Sequence, residues 1–236
     1  MLKHHLITAA SAMGIAMSQT EAEQFERYHA LLVEANARMN LTRVPDDPIE
    51  AADRNYLDSI SVLSAAFPSA QNAVDVGSGA GFPGVPLAIM LPETHFVLLD
   101  SLGKRVDFLN SVIDALRLNA EAVHLRAEDA AKLPNYREQF DLACARAVAP
   151  MNVLCEYLLP FLRVEGWMLA LKGPSLEAEL DQAGNALNTL GGSVTKTLAL
   201  SIPGRDWDHR AVWIHKTAPT PDRYPRKAGT VEKKPI

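Results

Sequence analysis

Several large classes of protein are excluded by what the chain has little of. Two cysteines, Cys144 and Cys155, occur in 236 residues. Their separation fits no metal-ligand pattern, and one pair cannot build a disulfide framework, so a stapled extracellular scaffold is excluded and a reducing cytosol is expected. No apolar run is long enough to cross a bilayer. The longest candidate, "LITAASAMGIAM" at 6–17, is too short. It could also be read as a signal peptide; the amphipathic helix directly behind it, and the cofactor inferred below, disfavour that reading. Repeats and low-complexity tracts are absent too. No excess of basic charge exists either, because the formal net charge is −5.

What remains is 48% apolar and 22% charged residues, the balance of a soluble globular chain long enough to bury a full core. Its charge is unevenly placed. Residues 216–236 hold six lysines and arginines against two acids, a balance of +4, which leaves −9 for the rest. A basic tail on an acidic body can meet phosphates locally, and it can equally be a solvated terminus.

Ser18 and Glu21 are spaced as a capping box before Phe25, Tyr28, Leu32, Ala35 and Met39, which recur at helical steps. A second helix is predicted to start at Asp47-Pro48 and to run towards Pro68 with Ile49, Ala52, Tyr56, Ile60 and Leu63 on one face. From residue 72 strands and helices alternate: "NAVDVG", "HFVLLD", "AVHLRAED", "FDLACARA" and "GWMLALKG" are near-continuous apolar strands separated by helical stretches. Such alternation predicts an α/β fold, a mostly parallel, doubly covered sheet of Rossmann type. "GSVTKTLALSI" and "RAVWIHKT" have only a loop between them and should pair antiparallel at one end. The expected division is a helical extension over 1–70, a Rossmann-like domain over 71–217, and a basic tail over 218–236 packed on or near that domain.

The glycine-rich turn "VDVGSGAGFPG" at 74–84 follows the first of these strands. It is no P-loop, because "GVPLA" follows where lysine and serine or threonine would be needed. Gly79, Gly81 and Gly84 do satisfy the dinucleotide pattern G-x-G-x-x-G, which is weak evidence alone. Asp75 ahead of the glycines is expected to face the ligand, repelling a pyrophosphate and suiting the sulfonium and ammonium of S-adenosylmethionine. Pro83 and Pro86 remove amides that a pyrophosphate would want. Asp100, after the second strand, can accept both ribose hydroxyls of either cofactor class. Glu128 in "RAED" lies where a carboxylate could read an adenine edge, and Arg146 should point into the cleft. Singly, Glu128 reads as an exposed acid and Arg146 as a surface ion pair. Jointly, the strand ends that carry them meet in one cleft.

"DVGSGAGFPG" at 75–84, "LLDSLGKRVDFL" at 98–109, "ARAVAP" at 145–150, "LKG" at 171–173 and "YPRKAG" at 224–229, with "NLT" at 40–42 and "RAED", resemble the bacterial 16S ribosomal RNA guanine-N7 methyltransferases, also called glucose-inhibited division protein B. The region before residue 18 lies outside this resemblance. The resemblance implies a class I methyltransferase fold, S-adenosylmethionine as cofactor, and a guanine in the 530 loop of small-subunit RNA as acceptor. It assigns cofactor contacts to Gly77 and Phe82 in the turn, to Ala127 and Glu128, and to Arg146, whose role could be to orient the base or the cofactor; Gly79 in the turn and Asp100 after the second strand are expected to join them. Guanine N7 carries a lone pair and no proton, so no general base or covalent cysteine is required. RNA would be met by Lys104, Arg105, Lys172, Arg223, Arg226 and Lys227. No metal, no membrane and nothing beyond a cytoplasmic monomer is implied. Two other readings stay open: a small-molecule methyltransferase, and a non-catalytic protein that binds S-adenosylmethionine or nucleotides on the same fold.

Overall fold

A computed structural model describes residues 1–39 and 41–236; Asn40, the first residue of the "NLT" motif, lies outside the described residues. Two helices open the chain, α1 (Leu2–Ala12) and α2 (Gln19–Met39). The capping box is formed: the Ser18 amide donates to Glu21 Oε2 at 2.5 Å and the Glu21 amide to Ser18 Oγ at 3.2 Å. Behind it, α2 buries Ala22, Phe25, Tyr28 and Leu32, and its last predicted core position, Met39, is exposed.

The next stretch departs from the single regular helix that its periodicity suggests. Asp47 caps α3 (Pro48–Ala51) by accepting from the Ile49 amide, and then a π-helical turn (Ala52–Leu57), α4 (Asp58–Ile60) and a 3-10 turn (Ser61–Ser64) follow. The reason lies in what surrounds it. Asp53, Asn55, Asp58 and Ser59 are buried along with Tyr56, Leu57 and Ile60, so both polar and apolar sides of this segment need internal partners. A regular amphipathic helix has only one buried side.

The sheet has seven strands, β1 (Asn72–Val76), β2 (His95–Asp100), β3 (Ala120–His124), β4 (Phe140–Arg146), β5 (Leu162–Lys172), β6 (Gly192–Leu200) and β7 (His209–Lys216). Their order is β3-β2-β1-β4-β5-β7-β6. The first five are parallel; β7 is antiparallel to both neighbours, β5 and β6. Helices α5 (Gly84–Met90), α6 (Gly103–Leu116), the short α7 (Ala127–Ala130), α8 (Met151–Leu158) and α9 (Leu176–Leu190) connect the strands. Side chains alternate between faces as a pleated strand requires. Phe96 and Leu98 enter one core with α1, α2 and the 52–62 segment, while Val97 and Leu99 enter the other with α8 and α9. The N-terminal helices therefore share the core of the sheet.

The end of the chain packs on the second core. Tyr224 and Val231, the latter in α10 (Thr230–Lys233), are buried there. Arg226 is tied to Glu156, whose side chain has no exposure: its guanidinium reaches Oε2 at 2.5 Å and its amide Oε1 at 2.7 Å. Lys216 is also internal, donating at 2.9 Å to the carbonyls of Leu159 and Leu190, and burial lowers its pKa to about 8. Two cations of the basic stretch thus serve the core instead of the surface.

Candidate functional site

Parallel strands place their carboxyl ends on one side, and the order reverses between β1 and β4, the point at which such sheets open a crevice. Here the crevice is a cavity of about 460 Å³. Gly77, Gly79, Phe82, Asp100, Ala127, Glu128 and Arg146 all line it. They come from the ends of four strands or the turns that follow.

The glycine turn is fastened to β2. The amides of Gly77 and Ser78 donate to the Leu99 carbonyl at 2.8 and 3.0 Å, and that of Gly79 to Asp100 Oδ2 at 2.9 Å. Those of Gly81 and Phe82 donate to the Ser78 carbonyl, and that of Gly84 to Asp75 Oδ2 at 3.0 Å. All six amides are already donating, whereas a phosphate nest needs such amides free. The turn is shaped for close approach to an uncharged or cationic guest.

From the other side the aromatic cluster of the N-terminal helices holds it. Tyr28 donates its hydroxyl to the Ala80 carbonyl, and Phe82 packs against Tyr28 and Tyr56 with ring centres 5.7 and 6.0 Å away. Gly81, with φ +105°, has room for no side chain: a Cβ would lie 2.6 Å from Val85 and 2.7 Å from the Tyr28 hydroxyl.

Asp75 corrects one expectation. It does not line the cavity; it has no exposure and sits beneath the turn, against Gly84. Burial pushes its pKa up to about 7, opposed by the Gly84 amide and by Arg146, and Oδ1 has no hydrogen-bond partner. Its influence on a guest is electrostatic and indirect. Asp100, in contrast, lines the cavity, accepting from the Gly79 and Leu102 amides and, at 3.4 Å, from Arg105. Oδ2 is thereby filled, while Oδ1, which accepts only from Leu102, keeps a further acceptor site. Glu128 lines the opposite part of the cavity and is nearly buried.

Arg146, at the end of β4, is held on the cavity wall. Its Nη1 donates to Asp58 Oδ2 at 3.1 Å and to the Arg54 carbonyl at 3.0 Å, and Nη2 to Asn55 Oδ1 at 3.4 Å. Its guanidinium carbon lies 4.6 Å from the centre of the Phe82 ring, close enough for a cation–π contact. Asp58 also pairs with His209 at 2.7 Å, and that hydrogen bond raises the imidazole pKa against the effect of burial.

The cations expected to meet RNA divide. Lys104, Arg223 and Lys227 are exposed. Arg105 turns back onto Asp100 and lines the cavity. Lys172 and Arg226 are corrections: Lys172 is almost buried, with Nζ on Glu179 at 2.5 Å and on the Ala149 carbonyl at 2.7 Å, and Arg226 neutralises buried Glu156. A cation that satisfies a buried carboxylate is not free for phosphate.

Two further wall residues escape the sequence. Tyr157 on α8 and Glu232 on α10 both line the cavity, and the Tyr157 hydroxyl donates to Glu232 Oε1 at 3.2 Å. Burial, with the nearby acids Glu128 and Glu232, raises the pKa of the phenol. No spacing signal joins positions 157 and 232. Asn55 and Asp58 carried none either: they fall off the predicted apolar face and read as solvated, and only the fold buries them.

Comparison with known proteins decides the family. The sequence model described as "GidB: rRNA small subunit methyltransferase G" matches residues 21–206. The ribosomal RNA small subunit methyltransferase G of Clostridium perfringens (strain SM101 / Type A) is 43% identical over 97% of this chain and 96% of its own. The chain belongs to the GidB family. The protein of the same name from Thermoanaerobacter sp. (strain X514) is 42% identical over 98% of this chain and 97% of its own. That coverage leaves too few unmatched residues for the segment before residue 18 to lie outside the GidB likeness, so most of α1 is shared. Among solved structures, Aeropyrum pernix fibrillarin in complex with S-adenosyl-L-methionine matches 69% of this chain and 75% of its own at 16% identity, with a TM-score of 0.53. TYW2 of M. jannaschii in complex with AdoMet matches 71% and 75% at 14% identity, with a TM-score of 0.52. These two share the fold. Among the described residues, no helix is long and apolar enough to cross a membrane, and no group of three or more His, Cys, Asp or Glu could hold a metal ion.

Proposed function

We propose that this chain methylates N7 of a guanine in the 530 loop of 16S ribosomal RNA, with S-adenosylmethionine as donor, in the cytoplasm and as a monomer. The observation that carries the reading is the turn, six of whose amides are already donating, facing acids at successive strand ends. The cavity suits a nucleoside and offers no nest for its phosphates.

Asp100 would accept from the ribose hydroxyls with the lone pairs its amide donors leave free. Glu128, beside the Ala127 backbone, would face the adenine end together with Tyr157 and Glu232. Gly77 leaves room against Val148, where a Cβ would stand only 3.0 Å away. When bound, the cofactor would supply a methyl group on a positive sulfur, which the N7 lone pair would accept as the C–S electron pair stays with sulfur and the positive charge passes to the guanine ring. No proton moves in that step, so the chain needs to align, desolvate and exclude water. Phe82 and Arg146 stand on the wall where that alignment would be set. Lys104, Arg223 and Lys227 would contact phosphates of the folded RNA, whose target base must leave its stack to react.

The test is incubation with methyl-labelled S-adenosylmethionine and unmodified small-subunit RNA, naked and in particles. Label in RNA that digests to 7-methylguanosine is expected. Label only in small molecules, or in nothing, overturns the reading.

A further inference from the structure

A second cavity, of about 440 Å³, lies beside the first, and both volumes fall in the range of ligand sites. Arg146 and Ala147 line both cavities, so the two meet at the end of β4. Ala147 has φ +54°, a left-handed backbone that costs a non-glycine residue energy and is characteristic of functional sites.

The far wall is supplied by the π-helical turn and α4, through Asn55 and Asp58. Asn55 Oδ1 accepts from Arg146, which fixes the orientation of the amide, while its Nδ2 is buried with no hydrogen-bond partner. A buried donor left unpaired is unfavourable, a cost that a bound guest accepting from it would remove. Asp58 is almost buried too; each of its oxygens accepts one bond, from Arg146 and from His209, and keeps capacity for another. Along this wall an unpaired N–H, enclosed until the side chain turns or a guest reaches it, lies next to carboxylate acceptors. The Watson–Crick edge of guanine presents the complement, an O6 acceptor beside the N1–H and N2–H₂ donors; adenine presents a donor and an acceptor in the reverse sense.

We infer that this second cavity receives the unstacked acceptor base, and that Asn55 and Asp58 select guanine by reading O6 and the N1/N2 donors, leaving N7 towards the first cavity at the Arg146–Ala147 edge that the two share. The inference rests on the guanine-N7 reading above and adds the subsite and its specificity-determining residues. Asn55 and Asp58 touch the base and exchange no proton with it.

The experiment uses the full-length protein and small-subunit RNA ligated to carry guanine, inosine or 2-aminopurine at the acceptor position, all of which keep N7. Wild-type protein should methylate guanine at least tenfold more efficiently (kcat/KM) than either analogue. Asn55→Leu should lose at least tenfold on guanine and much less on 2-aminopurine, which has no O6 to lose. Asp58→Asn should bring guanine and inosine within a few-fold of each other. S-adenosylmethionine affinity, measured by calorimetry on the same Asn55→Leu sample, should stay within threefold and certifies its fold. Equal rates on all three RNAs, or an Asn55→Leu variant that discriminates as wild type does, overturns the subsite while the methylation reading stands. No transfer by wild type to any of the RNAs overturns both.

Discussion

Asp75 and Gly84 fit each other so closely that each sets what the other can be. A Cβ on Gly84 would lie 2.5 Å from Leu98 Cδ2 and 2.6 Å from Asp75 Oδ2, a clash that forces these two buried side chains to shift. Gly84→Ala is expected to cost about 1–3 kcal/mol of stability by overpacking, read as a lower denaturant midpoint. The charge of Asp75 has a pH signature. Its folded pKa, about 7, exceeds the unfolded one, so the folded state binds more protons and stability falls as pH rises from about 4 to about 7, then levels. Asp75→Asn keeps the shape and cannot ionise; denaturation curves between pH 5 and 8 should show that decline flattened relative to wild type. A cationic guest nearby favours the carboxylate, so S-adenosylmethionine binding at pH 7 should release protons, seen by calorimetry in buffers of different ionisation enthalpy. A binding enthalpy that does not change with buffer would detach Asp75 from the ligand.

At the scale of elements, the strands were legible because their physics is local. The alternation of Phe96, Val97, Leu98 and Leu99 places residues on two faces whatever packs there, and the acid ending β2 follows from where the apolar run stops. The 48–64 segment was legible only as helical. Its π turn depends on buried partners, His5 and Arg205 for Asp53 and Arg146 for Asn55 and Asp58, that lie far off in sequence. The C-terminal segment was the least legible part, because charge alone cannot distinguish a solvated arginine from one beneath the surface. Arg226→Ala would leave Glu156 as a buried unpaired carboxylate, an expected loss of about 3–5 kcal/mol. Lys227→Ala, at an exposed position, should be near neutral for stability. Thermal or denaturant unfolding of the two variants side by side checks this contrast.

For the whole molecule, the cofactor cavity and the proposed RNA surface share one terminus. Since Glu232 lines the first cavity and Val231 is fully buried, removing residues 223–236 should lower both stability and S-adenosylmethionine affinity, measured by unfolding and by calorimetry. Replacing only Lys104, Arg223 and Lys227 with alanine should spare the cofactor. It should flatten the slope of log affinity for RNA against log salt by about 2, near 0.7 for each lost single-strand phosphate contact. A slope that stays unchanged would move the RNA to another face.

The sequence by itself determined the order and kind of the strands, the glycine turn and the acids after it, because hydrophobic period, turn chemistry and strand ends are properties of neighbours along the chain. Only the tertiary structure decided that Asp75 lies under the turn, that Lys172 and Arg226 are spent on Glu179 and Glu156, and that Tyr157, Glu232, Asn55 and Asp58 stand at cavities. Whether a charge is free depends on what reaches it in space: Glu156 and Tyr157 meet Arg226 and Glu232 from a distant part of the chain, and even Lys172 and Glu179 are brought together only by the turn between β5 and α9.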